Sequence, residues 1–268
     1  MLNIRIKRKR NGVPILSRKE IDAIGEALAG DFCPAALTSP QPLDVDGFAE
    51  QYLHMTQDYQ FLSHCGVYLG MTVFNDTNQI AVYDPVAEKA KFISAKANTI
   101  IIDNTLLVES QEHRYRFTMG HEAPGHAFLH QEYFAVDPNQ LSFLAPSSAA
   151  QFQCRVDSAR LLKAKPQQSW NDRDWMEWQA NAMASAFMMP ESMVRKAVDD
   201  LRHEMGVQYC KDHEMHFAYA AASRVSELFN MSFQAANIRL KNLGLIRNMA
   251  DQNYGTVLDF DDLDALLM

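Results

Sequence analysis

Residues 114–130 read RYRFTMGHEAPGHAFLH and bring two histidines, His121 and His126, close to Glu122. Two imidazoles and a carboxylate on one helix are parts from which a zinc hydrolase is built. Such a site needs three protein ligands and an open position for water, whose pKa the metal lowers to about 7 so that a nearby carboxylate can take its proton. In the usual H-E-x-x-H arrangement the histidines stand four apart, one helical turn, and share a face. Here the second follows the first by five positions, and in a regular α-helix that residue is turned roughly 140° away.

Pro124 lies between the two histidines. Proline has no N–H to bond back along the helix, and its ring clashes with the carbonyl four residues earlier, here that of Gly120. A regular helix is therefore disfavoured at this point whatever the histidines do. A π-type bulge of one residue absorbs the extra position and restores the phase of His126, and Gly120 and Gly125 tolerate the unusual backbone. The insertion and the proline thus read as one feature, a bulged helix that would return both imidazoles to one face with Glu122 beside the first; a helix that only looks like a metal site stays the other reading. A rival triad, Glu122, His126 and His130, would share one face of a regular helix, and His130 otherwise reads as a packing residue or a hydrogen-bond partner of a ligand. An oxyanion-side donor is also expected, with His130 and Tyr133 as candidates.

The third ligand should come from a second helix. The stretch EWQANAMASAFMMP, residues 177–190, offers Glu177, followed at helical spacing by Ala180, Ala184 and Met188. This side of mostly small residues lets the helix pack closely on the first, and Asn181 can hydrogen-bond a ligand. Met183, Phe187, Met189, Trp175 and Trp178 read as packing. A second histidine-rich stretch, HEMGVQYCKDHEMHF at residues 203–217, has no such partner helix and is not read as a site.

The elements that must hold these residues follow from periodicity. SRKEIDAIGEALA opens on Ser17 with Glu20 three later, a capping box, and PLDVDGFAEQYLHM repeats the helical pattern with Phe48, Tyr52 and Leu53 on one face. Residues 66–103 change to short β-branched and aromatic runs, GVYLGMTVF, QIAVYD, KAKFISA and NTIIID, which predict a small antiparallel or mixed sheet. Residues 131–173 are irregular, with one strand near FQCRV; helices follow from DWMEWQ to RLKNLGLI, where Gly244 suits a helix C′ position. The tail LDFDDLDALL is acidic and amphipathic. The order gives an α+β fold, divided as an N-terminal extension over 1–44, a core over 45–190 and a C-terminal helical region over 191–268.

Composition narrows the setting. The net charge of −8 argues against nucleic acid as the main partner. The basic run IRIKRKR near the N-terminus reads as a solvated arm or a guarded strand edge. Cys33, Cys65, Cys154 and Cys210 form no paired motif, so a disulfide scaffold or thiolate zinc cluster is not expected. No signal peptide and no apolar run of membrane-spanning length is found, which predicts a reduced, cytoplasmic protein.

At this point the residues resemble a known family. RYRFTMGHEAPGHAFLH is similar to the R-F-T-x-x-H-E-x-G-H-x-x-x-H signature of the ImmA/IrrE-type zinc metallopeptidases. EWQANAMASAFMMP resembles their second-helix block, and FNMSFQAANIRLKNLGLI their closing segment. The resemblance implies a zincin-like core, Zn2+ held by His121, His126 and Glu177, Glu122 as catalytic base, and a cytoplasmic protein that cleaves a helix-turn-helix transcriptional repressor. The five-residue histidine spacing departs from the family and resembles the H-E-x-x-G-H of a dipeptidyl-peptidase family that still binds zinc. Two other readings stay open: an inactive relative that binds a regulator without cleaving it, and a DNA-binding regulator using the basic N-terminus and the closing block.

Overall fold

A computed structural model describes residues 2, 4–134, 151–155 and 167–247. Ser17 caps the first helix, α1 (Arg18–Phe32), with the reciprocal Glu20 bond of a capping box. A short turn, α2 (Val45–Gly47), runs on as a π turn over Phe48–Tyr52. Five strands come next: β1 (Thr56–Gln60), β2 (Tyr68–Val73), β3 (Thr77–Asp84), β4 (Lys89–Ala95) and β5 (Thr99–Asp103). The histidine segment begins as α3 (Glu112–Gly120) and ends in α4 (Gln131–Phe134). Beyond β6 (Gln151–Arg155) the described residues carry helices: α5 (Asp172–Met188), α6 (Glu191–Met205), α7 (Val207–Asp212), α8 (Glu214–Phe229) and α9 (Phe233–Asn242). The architecture is α+β, with two small sheets among many helices.

The four-stranded sheet has the order β1-β5-β2-β6, parallel between β1 and β5 and antiparallel elsewhere. Its centre is apolar on both faces because both are covered. Ile100 and Ile102 of β5 face the helices, whereas Ile101, with Met71 and Val73, packs under the β3–β4 hairpin against Ile80 and Val82. A strand covered on both sides reads as a continuous apolar run, as Thr99–Asp103 does. The small sheet expected over residues 66–103 is present, as is the strand near FQCRV. β1 is an addition: its sequence TQDYQ carries no apolar alternation and its position comes from pairing with β5.

The first helix packs along α5. A side chain at Gly25 would come within 2.7 Å of the Ala186 Cβ, so the two backbones approach as closely as glycine allows. Arg239 of α9, 1% exposed, is ion-paired with Asp22 of α1 and donates from Nε to the Met189 carbonyl at 3.1 Å. The end of α9 has Gly244 at φ +66° two residues on, the left-handed stop expected there. The acidic tail LDFDDLDALL lies outside the described residues.

Of the two readings of the basic N-terminal run, the strand edge fits and the free arm does not. Residues 7–15 form a hairpin closed by an Arg8–Pro14 bridge, with Lys9 N bonded to Val13 O at 2.7 Å and Ile15 N to Lys7 O at 2.8 Å. Arg8 donates to the Leu129 carbonyl at 2.7 Å and pairs with Glu132 at 3.0 Å; Lys9 and Asn11 both reach Asp172 at the start of α5. Arg8 and Lys9 find acceptors on the helices that carry the histidines and Glu177, which holds the hairpin down.

A candidate metal centre

Two packed helices build the site. α5 opens on Asn171, whose side chain bonds the Asp174 N–H while Asp174 bonds back, a second capping box. One turn later it presents Glu177, and then Gln179, Ala180 and Asn181. The partner helix changes character at His121: residues His121–Ala127 form a π-helix with Pro124 inside it. In a π-helix the bonds run i→i+5, so residues five apart stand one turn apart. The inserted residue is absorbed, and His121 Nε2 and His126 Nε2 face each other at 2.9 Å.

Glycine and alanine set how close the helices come. A Cβ at Gly125 would sit 3.0 Å from both Cα and Cβ of Ala180, and one at Gly120 would sit 2.9 Å from the Met188 Cε. The side formed by Ala180, Ala184 and Met188 is therefore the face that meets the histidine helix. Gly125→Ala forces backbone apart rather than a flexible side chain, and its expected cost is about 1–3 kcal/mol, read as a fall in the urea midpoint.

The close approach delivers Glu177. Its Oε2 lies 3.3 Å from His121 Nε2 and 3.9 Å from His126 Nε2. Among the described residues these three form the one His/Cys/Asp/Glu group with metal-ligand spacing. Ligand atoms about 2.0–2.1 Å from a tetrahedral zinc lie roughly 3.3 Å from one another, and the three separations here, 2.9, 3.3 and 3.9 Å, scatter about that value. The chemistry also fits. His121 Nδ1 is 2.7 Å from Asn181 Oδ1, an acceptor, so the ring proton sits on Nδ1 and Nε2 presents a lone pair. Both histidines are buried, whereas Glu177 keeps 16% of its side chain exposed, so the group meets solvent on the Glu177 side.

Electrostatics favour the ligand forms of these groups. Burial, and then the neighbouring His121 ring, lower His126 to about 4. Burial alone would raise Glu177, but the two histidines it faces hold it well below the usual carboxylate range. Geometry leaves a lone pair on His121 Nε2, and with His126 held neutral and Glu177 ionised the set suits a cation. A pH effect follows for protein kept metal-free with chelator. Unfolded, His126 titrates near 6.5; as pH falls the unfolded chain takes the proton first, so stability is whole above about 6.5 and is lost towards 4. The expected loss from this residue between pH 7 and pH 5 is about 2 kcal/mol, measurable from urea midpoints. His130, lowered by burial and by His126, adds in the same direction.

Glu122 stands apart from the three converging atoms, on the sheet side of the π segment. Thr72 of β2 donates its hydroxyl to Glu122 Oε2, and a Cβ at Gly70 would come within 2.8 Å of Oε1. The rival triad does not assemble: His126 and His130 meet through their Nδ1 atoms at 2.9 Å, while Glu122 faces β2. Nor is His130 an oxyanion donor, because its Nε2 is engaged by Gln179 at 3.0 Å. In the other histidine-rich stretch, His213 and His216 are exposed and turn to Tyr209.

Gln179, Thr72 and Pro14 were not singled out by the sequence. The one signal for Thr72 is a small polar residue two places after Gly70 in an otherwise apolar strand. For Gln179 it is a polar residue among the buried positions of α5.

Comparison with known proteins adds a family. The peptidase-family model described as IrrE N-terminal-like domain matches residues 159–241, which include Glu177, Gln179, Asn181 and Arg239 and begin after the histidine segment. No curated protein and no solved structure matches the chain.

Proposed function

From the kinship with the ImmA/IrrE-type peptidase family that residues 159–241 carry, we propose that this chain is a zinc-dependent endopeptidase with a zincin-like core. The observation that supports this most is the convergence of His121, His126 and Glu177 in spite of the inserted residue. His121 Nε2, His126 Nε2 and Glu177 Oε2 are the atoms that would hold the metal. When bound, zinc supplies a Lewis acid that makes water a nucleophile near neutral pH and polarises a peptide carbonyl.

The protein's own groups do the rest. Asn181 and His130 hold the two imidazole rings by their Nδ1 atoms. Glu122 is the proton carrier: its carboxylate takes a proton from water and returns it to the leaving amine. Thr72 Oγ1, donating to Oε2, fixes the direction of that carboxylate. The residues over 45–190 carry the chemistry in this reading, and the flanks 1–44 and 191–268 brace it through Pro14, Asp22 and Arg239.

The resemblance further points to a helix-turn-helix transcriptional repressor as substrate and to the cytoplasm as the setting. No described helix is long and apolar enough to cross a membrane, and the charge of −8 disfavours direct binding of nucleic acid.

Elemental analysis of protein purified without added metal tests the reading first, with about one zinc per chain expected. Incubation with candidate repressors should then yield discrete fragments that Glu122→Gln protein, still zinc-loaded, does not produce. No zinc after reconstitution removes the peptidase reading. Zinc without cleavage leaves a peptidase-like protein that binds its regulator.

A further inference from the structure

We propose that Gln179 and His130 are positioning residues that set the tautomer of His126, with the backbone carbonyl of Pro14 as the fixed end of the relay. The consequence for metal binding rests on the zinc reading above; the geometry does not.

The relay has only one direction. The Pro14 carbonyl can accept but not donate, so the Gln179 group 2.9 Å from it is the amide nitrogen, Nε2. That turns Gln179 Oε1 towards His130 Nε2 at 3.0 Å, and an acceptor there requires the proton on Nε2. A neutral imidazole has one N–H, so His130 Nδ1 carries a lone pair. It lies 2.9 Å from His126 Nδ1, which must therefore be the donor. His126 Nε2 is left bare, facing His121 Nε2 and Glu177.

Burial removes the competitor that would scramble this order. His126 and His130 are 0% exposed and Gln179 1%, so water does not exchange one tautomer for the other. The fixed end is itself held: Pro14 sits in the hairpin that Arg8 ties to Leu129 and that Asn11 ties to Asp172. Val13 beside it is fully buried. The N-terminal hairpin thus orients Gln179, and through it the metal centre, from 165 positions away in the chain.

Ring-nitrogen NMR on the full chain, labelled with 15N and treated with chelator, reads the tautomers directly. The expected pattern is a proton on Nδ1 of His126 and on Nε2 of His130. In Gln179→Leu protein that stays folded by circular dichroism, the pattern should become mixed and zinc affinity, measured by chelator competition, should fall roughly 10–100-fold. Gln179→Glu, which keeps an acceptor for His130, should restore the His126 tautomer.

A proton on Nε2 of His126 in the wild-type spectrum overturns the proposal without any variant. So does a folded Gln179→Leu protein with unchanged tautomers and affinity. The wild type separates the two readings: the expected tautomers without zinc uptake uphold the relay and sink the metal centre, and zinc uptake with the opposite tautomer does the reverse.

Discussion

Glu177→Ala protein should retain about a tenth of a zinc or less per chain, against about one in the wild type, when both are dialysed against the same chelator and measured by elemental analysis. Glu177 is the only carboxylate among the three converging groups, and its oxygen is ionised because His121 and His126 outweigh its burial. Removing it leaves two nitrogen ligands in place of the three protein ligands that a catalytic zinc site uses. The loss should exceed the 10–100-fold that a residue behind a ligand costs when it is removed. Glu177→Gln keeps the shape and removes the charge. It should lose the metal too, with an unchanged circular dichroism spectrum. Full zinc in Glu177→Ala protein would move the third ligand elsewhere and end the assignment made here.

Arg239→Ala should destabilise the protein by about 3–5 kcal/mol, the range for breaking a buried ion pair on one side. The guanidinium is 1% exposed and joins three elements: Asp22 on α1, the Met189 carbonyl at the end of α5 and its own helix α9. Truncation takes from the Asp22 carboxylate, 7% exposed, its ion-paired cation and leaves it the weaker attraction of Arg18. Because ordinary domains are stable by only about 5–15 kcal/mol, the urea midpoint should fall by a large fraction of its value. A double variant, Arg239→Met with Asp22→Leu, removes both charges and should recover most of the loss, since apolar replacement of a whole buried pair is often neutral or better. A midpoint in the single variant close to wild type would mean that the pair carries little of the packing between α1 and α9.

How much of this was legible in the sequence depends on the reach of the interaction. Ser17 and Glu20 sit three apart, so their capping box needs nothing beyond its own turn. The bulge at Pro124 was legible for the same reason: proline and the five-residue spacing are both local. Glu177 and Asn181 were readable because one turn of α5 presents both to the first helix. Gln179 was not, because its partners lie 165 and 49 residues away and neither leaves a mark on its neighbours. β1 was missed because TQDYQ is placed by a parallel partner in β5, not by its own alternation. Between arm and strand edge the basic run could not be decided, because its acceptors, the Leu129 carbonyl, Glu132 and Asp172, become neighbours only once the helices have packed.

The wide turns over His121–Ala127 bear on how this helix can change over generations. Adding one residue to an α-helix rotates everything after it by about 100°, which is ordinarily ruinous to whatever the far end carries. Turns of the i→i+5 kind take up that rotation. His126 and, one ordinary turn on, His130 keep the faces they would have without the extra residue, and the His130 N–H already bonds back to the His126 carbonyl at 2.9 Å. One codon can enter or leave between the two histidines while the rest of the helix keeps its registration with α5. The segment tolerates a change of length where it least tolerates a change of side chain.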